Sequence, residues 1–280
     1  MPSHVMTLIG AGISANDIAR KLGAAVEWLA PDHAADIAFD GDPARAAQLV
    51  PPGMDAVIQP IAGRRKSLLV ADMESTAIQN EMLDEMADLI GIGDAVATIT
   101  RRAMNGELDF AASLRQRVAL FKGHPESLLA EAARRIRYND GAATLVRTMR
   151  KYGAKTVLVS GGFYVFSRIV RDALGFDRDI ANELVVATGR IAGTLREPVL
   201  DAAGKAAALE RFAAEFGIEL SQTLAVGDGA NDLPMLEAAG LGVAYHAKPH
   251  VQARIGHRID RADLTALLYL QGYHDSDFVV

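Results

Sequence analysis

Hydrophobic and polar positions alternate in short blocks over the first 60 residues of the chain. Apolar runs at 5–9, 25–29, 36–39 and 55–59 predict four strands, and segments 14–22 and 42–50 predict two helices. Asp42 followed by Pro43 is typical of a helix start, because aspartate caps free amides and proline tolerates the first turn. The order βαββαβ predicts a small α+β unit of the ferredoxin-like type.

Residues 79–137 show the apolar spacing of helices throughout. Two stripes carry this spacing, and they comprise Met82, Met86, Leu89 and Ile90, and then Phe110, Leu114, Val118 and Phe121. Glycine-containing segments at 91–93 and 105–106 separate the helices. The methionine stripe is expected to pack in a core, and Met104 and Phe110 are expected there too.

Strands alternate with helices in the rest of the chain. Apolar runs at 68–72, 156–160, 223–226 and 241–245 predict buried strands, 163–174 and 201–216 predict helices, and 184–194 predicts an antiparallel hairpin. This alternation predicts an α/β fold, a doubly wound parallel sheet with an inserted helical cap. The predicted regions are a small α+β domain at 1–65, an α/β core at 66–78 and 139–280, and the cap at 79–138.

Composition narrows the classes of function. A net charge of −6 gives no support for a nucleic-acid or anionic-membrane surface. The chain has no cysteine, which excludes disulfides, thiolate catalysis and cysteine-bound zinc. Neither a signal-peptide pattern nor an apolar run of the roughly 20 residues that span a bilayer is found in the sequence. A cytoplasmic protein with no membrane partner is therefore expected.

Polar groups follow three of the predicted strands. They are Asp72 with Glu74, then Ser160-Gly161-Gly162, and finally Asp228 with Asn231 and Asp232. Because parallel strands end at one edge of a sheet, these groups are expected to share one crevice. Side chains two residues apart in an extended segment point to the same side. If the extended path continues past Asp72, this residue could attack a reacting group while Glu74 handles protons.

The residue types at these strand ends suit phosphate chemistry. Asp72 and Asp228 offer the hard oxygen ligands that Mg²⁺ prefers. Ser160, the amides after it and Lys205 supply donors for a phosphate group. Phosphate monoesters resist hydrolysis and can require about 10²¹-fold acceleration, so a metal, a nucleophile and an acid at one point match that demand.

The combined motifs resemble the haloacid dehalogenase-like (HAD, Rossmannoid) phosphatases, and among them the phosphoserine phosphatases. The strings that carry the resemblance are Asp72-Met73-Glu74-Ser75-Thr76, the helix bearing Glu81, Ser113-Leu114-Arg115-Gln116-Arg117-Val118, Val159-Ser160-Gly161-Gly162-Phe163, Lys205, and Gly227-Asp228-Gly229-Ala230-Asn231-Asp232. The resemblance covers roughly residues 67–270. It implies hydrolysis of O-phospho-L-serine to L-serine and phosphate, the last step of serine biosynthesis.

The resemblance also implies a role for each residue of the reaction. Asp72 would attack phosphorus and become an aspartyl phosphate. Glu74 would protonate the leaving serine oxygen and then accept a proton from water, which requires a raised pKa. Ser160, Gly161 and Lys205 would hold the phosphoryl oxygens.

Metal and substrate contacts follow from the same resemblance. Mg²⁺ would rest on Asp72, the backbone carbonyl of Glu74, and Asp228, with Asp232 and Asn231 supporting the site. On the cap, the resemblance places Glu81 at the substrate ammonium and Arg117 at its carboxylate, where a guanidinium can bind with two prongs.

The sequence departs from the family in one place, since the family usually has aspartate where this chain has Glu74. A shift of about one ångström can cost roughly 10²-fold in rate, so the extra methylene matters. We expect Glu74 to work as a variant of the acid/base. Glu81, with Glu85 and Asp88, could instead form a solvated helix face, and the same alternative stands for Arg117.

Several alternatives remain open at the level of sequence. The chain could act on another small phosphorylated metabolite, transfer phosphate to an alcohol, or bind amino acids without catalysis. The first domain resembles a reduced ACT-like unit, which could bind an amino acid or form a homodimer. The segment 10–15 with Asp32 resembles a dinucleotide-binding fingerprint, but too few residues precede the Asp72 strand for a Rossmann domain.

Overall fold

The computed structural model describes residues 2–10, 12 and 15–280. Its amino-terminal part has the predicted order of elements, namely β1 (His4–Ile9), α1 (Ala15–Leu22), β2 (Val26–Ala30), β3 (Ala34–Phe39), α2 (Pro43–Ala47) and β4 (Asp55–Pro60). The predicted capping of α2 is confirmed, because the Asp42 side chain accepts a hydrogen bond from the amide of Ala44 at 2.9 Å. Ser14, the predicted start of the first helix, lies outside the described residues.

The four strands form one sheet in the order β2-β3-β1-β4, with every neighbouring pair antiparallel. This is the arrangement that the ferredoxin-like order of elements predicts. The dinucleotide-like segment lies partly outside the described residues. The antiparallel sheet beside it does not provide the parallel βαβ unit in which that fingerprint binds a nucleotide.

The remaining elements build a second, larger unit. They are β5 (Leu68–Asp72), α3 (Met82–Leu89), α4 (Gly93–Met104), α5 (Phe110–Ala119), α6 (Ser127–Ala133), α7 (Ala142–Lys151), β6 (Lys155–Phe163), α8 (Tyr164–Leu174), β7 (Arg178–Asn182), β8 (Leu184–Ala187), β9 (Arg190–Leu195), α9 (Ala202–Phe216), β10 (Thr223–Gly227), α10 (Leu233–Ala238), β11 (Leu241–Tyr245), α11 (Pro249–Gln252), β12 (Arg258–Ile259) and α12 (Ala266–Leu270). Among the described residues, no helix combines the length and the apolar character needed to cross a bilayer.

Six of these strands form a parallel sheet in the order β12-β11-β10-β5-β6-β7. Every residue of β5 is buried, as expected for a strand covered on both faces. Leu68 and Val70 pack in one hydrophobic cluster, whereas Leu69 and Ala71 pack in the other, so the run fills the layers on both sides. The predicted α/β doubly wound fold is confirmed.

The strand register brings three strand ends together. Asp72 at the end of β5 lies opposite Val159 of β6, and Ala71 lies opposite Val226 of β10. The residues that follow Val159 and Val226 therefore leave the sheet beside Asp72. This edge is where ligands bind in open α/β sheets.

The cap helices α3 to α6 lie between β5 and β6 in the chain. Met82 and Met86 are fully buried, which confirms the predicted methionine core. Gly91 and Gly106 have positive φ and interrupt the helical region after α3 and after α4, at the two glycine-containing segments predicted to separate the helices. The expectation that Met104 packs in the core is wrong: it is 79% exposed where α4 ends.

The predicted hairpin is present as β8 and β9, and it pairs with the end of the cap. The amide of Gly123 donates to the carbonyl of Ile191 at 2.8 Å, and the amide of Ile191 donates to the carbonyl of His124 at 2.9 Å. The hairpin is thus tied by backbone hydrogen bonds to the cap rather than to the six-stranded sheet.

Buried polar contacts fix the four-stranded sheet to the larger unit. The Asp55 carboxylate accepts hydrogen bonds from the amides of residues 260, 261 and 262 at 2.8–3.0 Å. Arg64 pairs with Asp36 at 2.6 Å and donates to the carbonyls of Tyr269 and Leu270. The domain boundaries after residues 65, 78 and 138 stay a prediction.

Candidate active site

Three buried carboxylates meet at the carboxyl edge of the parallel sheet. Asp72 ends β5, Asp228 follows β10, and Asp232 ends the 3₁₀ turn Ala230–Asp232. One oxygen from each carboxylate lies within 4.8 Å of the others. Gly227 makes this approach possible, because a Cβ there would come within 2.5–2.7 Å of the Asp232 side chain.

Lys205 is the cation buried among these acids. It lies in the first turn of α9, whose start is capped by the Asp201 side chain accepting from the amide of Gly204 at 2.9 Å. Its Nζ donates to Asp72 Oδ1 at 2.5 Å and to Asp232 Oδ1 at 2.7 Å. Lys205 thus contacts Asp72, the residue that the resemblance identifies as the nucleophile.

Negative charge exceeds positive charge in this cluster. Burial, then the neighbouring carboxylates Asp232 and Asp228, raise the pKa of Asp72 well above its ordinary value. Burial raises the pKa of Asp228 to about 6. For Lys205, burial alone would lower the pKa, but Asp232 and Asp72 outweigh it, so the net shift is upward and the ammonium stays charged.

The donor set fits a hard divalent cation. All three acids offer carboxylate oxygens, with no cysteine or histidine in the group. Three carboxylates lie around one buried ammonium group, so Lys205 does not compensate all of their negative charge when they are ionised. A divalent cation would supply the missing positive charge and keep the carboxylates ionised.

The end of β6 provides a compact cradle beside the acids. Ser160 is fully buried, and its Oγ accepts a hydrogen bond from the amide of Gly162 at 2.9 Å. Asn182 holds the loop by donating to the carbonyl of Gly161 at 2.8 Å. A Cβ on Gly161 would lie 2.9 Å from the ring of Phe110 and 3.7 Å from Nδ2 of Asn231.

The two sides of this cradle therefore come from different regions. Phe110 belongs to the cap, and Asn231 belongs to the turn that carries Asp232. Phe110 was expected in the hydrophobic core, and it does pack against it as a partly buried side chain. Its ring edge also reaches the loop of Ser160, a contact that sequence spacing does not reveal.

Glu74 lies between the acid cluster and the cap. Its Oε1 accepts a hydrogen bond from the amide of Met82, the first residue of α3, at 2.8 Å. Burial, then repulsion from Glu81, raises the pKa of Glu74 to about 8. A carboxyl with this pKa carries a proton at neutral pH and can donate it, as a general acid must. The side chain is not part of the three-acid group.

Glu81 and Arg117 face the same region from the cap. Ser75, whose φ of 56° turns the chain sharply after Glu74, donates its hydroxyl to Glu81 Oε1 at 2.8 Å. Burial lowers the pKa of Arg117, while Asp84, Glu74 and Glu81 act in the opposite direction. The Nε of Arg117 is buried without a hydrogen-bond partner among the described residues. A donor of this kind is available to a ligand carboxylate.

Sequence reasoning did not identify Lys248 as a residue of this site. Its backbone amide donates to the carbonyl of Asp228 at 3.1 Å, and its Nζ lies 3.5 Å from Asp228 Oδ2. The side chain is about half exposed, so it adds a cation at the rim of the cluster. The sequence does indicate Lys248 in one way: it lies just beyond the carboxyl end of β11, at the same sheet edge as the other groups.

Comparisons with known proteins show which proteins this chain resembles. The family model of the haloacid dehalogenase-like hydrolases matches residues 69–237. The chain is 45% identical to a phosphoserine phosphatase of Haemophilus influenzae over 74% of its own length and 66% of that protein. A crystal structure of a probable phosphoserine phosphatase from Vibrio cholerae superposes with a TM-score of 0.81 at 33% identity, covering 96% of this chain and 86% of that one.

A second solved structure resembles nearly the whole chain. A HAD-family hydrolase from Salmonella enterica serovar Typhi superposes with a TM-score of 0.84 at 28% identity, and 95% of this chain and 97% of that one are covered. Against four curated phosphoserine phosphatases, however, the matched segment spans only 51–66% of their length.

Proposed function

The chain belongs to the haloacid dehalogenase-like hydrolase family, and we propose that within it this protein is a phosphoserine phosphatase. The observation that carries the proposal is the meeting of Asp72, Asp228, Asp232 and Lys205 in one buried cluster at the sheet edge. The similarity to curated phosphoserine phosphatases at 41–45% identity supports the choice of substrate.

In the proposed first step, an oxygen of Asp72 bonds to phosphorus and the bond from phosphorus to the serine oxygen breaks. Glu74 transfers its proton to that leaving oxygen, so that serine departs as a neutral alcohol. Lys205, the Ser160 hydroxyl and the amide of Gly161 hold the phosphoryl oxygens as negative charge shifts during the step. The product on the protein is an aspartyl phosphate at Asp72.

In the proposed second step, water attacks the same phosphorus from the side that serine has left. Glu74, now ionised, accepts a proton from this water, and the bond between phosphorus and Asp72 breaks. Phosphate leaves, while Asp72 and Glu74 return to their starting protonation states. A raised pKa suits Glu74 to both steps, because one group must release a proton and then recover it.

We propose Mg²⁺ as the metal, held by Asp72, Asp228 and the backbone carbonyl of Glu74, with Asp232 and Asn231 in support. When bound, the ion would neutralise negative charge on the nucleophile and on the phosphoryl group. The buried all-carboxylate donor set supports this choice. Homodimer assembly stays a prediction.

Glu81 and Arg117 are the proposed contacts for the amino acid portion of the substrate. The exposed carboxylate of Glu81, at the start of α3, can pair with the substrate ammonium. The Nε of Arg117, which has no hydrogen-bond partner among the described residues, can donate to the substrate carboxylate. Both side chains come from the cap, so binding of the whole substrate would draw the cap toward the sheet edge. Closure of this kind excludes water from the reaction.

A substrate panel tests the proposal most simply. Phosphate release from O-phospho-L-serine should exceed release from phosphothreonine, phosphoethanolamine and glycerol phosphate, and chelation of the metal should abolish it. Restoring Mg²⁺ should restore activity, whereas Ca²⁺, with its larger and looser coordination shell, should not. Faster phosphate release from an ester that lacks a carboxylate than from phosphoserine would contradict the assignment to phosphoserine.

Exchange of Glu74 for glutamine tests the acid/base role. Glu74→Gln keeps the size of the side chain and an oxygen acceptor for the amide of Met82, but it removes the proton that the leaving group needs. We expect turnover of phosphoserine to fall by about 10²- to 10⁴-fold with a nearly unchanged KM. Glu107→Gln, on the exposed part of the cap, serves as the matched control. Full activity of Glu74→Gln would remove the residue from this role.

A further inference from the structure

Gly162 is a glycine whose backbone does not require one. It is absent from the residues with positive φ, so its conformation is open to other amino acids. Space is the constraint instead. A Cβ at this position would lie 2.8 Å from Oε2 of Glu74 and 3.0 Å from both Oε1 and Cδ. Glu74 thus packs its carboxyl directly against the bare Cα of Gly162.

The same carboxyl is also held by the cap. The amide of Met82 donates to Glu74 Oε1 at 2.8 Å, and Met82 is fully buried, so this donor is fixed in place. The amide is the first of α3, where the helix has unpaired N–H groups that favour a carboxyl acceptor. The carboxyl of Glu74 therefore contacts both Gly162 of the core loop and the amide of Met82 in the cap.

We propose that Gly162 is a positioning residue that makes room for the longer acid of this chain. The resembled enzymes usually carry aspartate where Glu74 stands, so the carboxyl must be accommodated one methylene further from the backbone. The space over Gly162 receives it, and the Met82 amide fixes its orientation. This inference rests on the proposed function, because it concerns the group that donates the proton in that reaction.

A double-mutant cycle tests the proposal through four proteins: the unchanged chain, Gly162→Ala, Glu74→Asp and the double variant. In the unchanged background, the added methyl displaces the Glu74 carboxyl from the Met82 amide, and kcat on phosphoserine should fall by about 10²-fold with little change in KM. In the Glu74→Asp background the shorter side chain withdraws from the methyl, so the same substitution should cost less than about 10-fold.

A second readout separates positioning of the acid from a general structural effect. The p-nitrophenolate of p-nitrophenyl phosphate leaves without taking up a proton. Gly162→Ala should therefore lower the first-turnover rate of p-nitrophenolate release less than it lowers the rate of serine release. Folding should survive, because the colliding atoms belong to the end of a flexible side chain. Gly256→Ala adds the same methyl where no atom lies within 4 Å and should retain full activity and melting temperature.

Equal losses from Gly162→Ala in the unchanged and the Glu74→Asp backgrounds would overturn the proposal, and so would full activity of the single variant. Equal losses on the two types of leaving group would also contradict it. If the unchanged chain does not hydrolyse phosphoserine but cleaves another alkyl phosphate, the substrate assignment is wrong. The double-mutant cycle is then measured with that ester, and its result decides the proposal for Gly162. Inactivity on every alkyl phosphate would overturn both proposals.

Discussion

Replacement of Asp72 by asparagine is expected to lower phosphoserine turnover by on the order of 10⁴-fold or more. Asparagine keeps the shape of the side chain and an oxygen near Lys205, but its amide cannot attack phosphorus to form the acyl phosphate. The loss should appear in kcat. Inorganic phosphate should still bind, because Lys205 and Ser160 remain in place.

Phosphate release in steady state measures this effect, and thermal unfolding supplies the control for folding. The substitution removes one member of an over-acidic buried cluster, so the melting temperature in the absence of metal should not fall. Asp17→Asn, on the exposed face of α1, should leave activity unchanged and lower the melting temperature only slightly, because it weakens one exposed ion pair with Arg20. An Asp72→Asn protein with turnover within tenfold of the unchanged chain would exclude Asp72 as the nucleophile.

Replacement of Lys205 by methionine should impair both stability and catalysis. Lys205 is 1% exposed and donates to Asp72 and Asp232, so its loss leaves two buried carboxylates without their cation. Removing one partner of a buried ion pair typically costs about 3–5 kcal/mol of unfolding free energy. Loss of a donor to the phosphoryl oxygens should lower kcat by a further factor of about 10²–10³.

Chemical denaturation and steady-state kinetics separate the two effects of Lys205→Met. Addition of Mg²⁺ should recover part of the stability, since a divalent cation can compensate the two carboxylates, but it should not recover turnover. Lys21→Met replaces an exposed lysine of α1 by the same residue and should change neither quantity. A Lys205→Met protein as stable and as active as the unchanged chain would mean that the cation has no role in the site.

The sequence predicted the parts of the fold whose pattern is local and strong. The run ending at Asp72 and the run ending at Gly227 are wholly buried strands, and uninterrupted apolar runs between turn signals are typical of such strands. The ferredoxin-like order was predictable because alternation, capping at Asp42 and short loops agree with one another.

Other elements carried no comparable local signal. The edge strand β7 contains Arg178 and Asp179 and is buried only at its end, and β12 has two residues. The helix α12 is buried on every side and packs against β1 and α7, so it lacks the polar face that marks an amphipathic helix. The helix α7 does have such a face, and sequence reasoning passed over it.

The candidate site was predictable only as a set of strand ends. Parallel strands imply that Asp72, Ser160 and Asp228 share an edge, and register then brings them side by side. Contacts between distant segments could not be predicted from the sequence. They include the contact of Phe110 with Gly161 and that of Glu74 with Gly162. Such contacts depend on how the cap packs on the sheet, which no local pattern specifies.

Trapping of the phosphorylated protein tests the central claim most directly. Protein mixed with phosphoserine and Mg²⁺, quenched in acid within one turnover and digested, should yield one phosphorylated peptide, with the phosphoryl group on Asp72. Hydroxylamine should release it, as it does any acyl phosphate, and Asp72→Asn should give none. Steady turnover with no phosphorylated peptide, or with the group on another residue, would contradict the account.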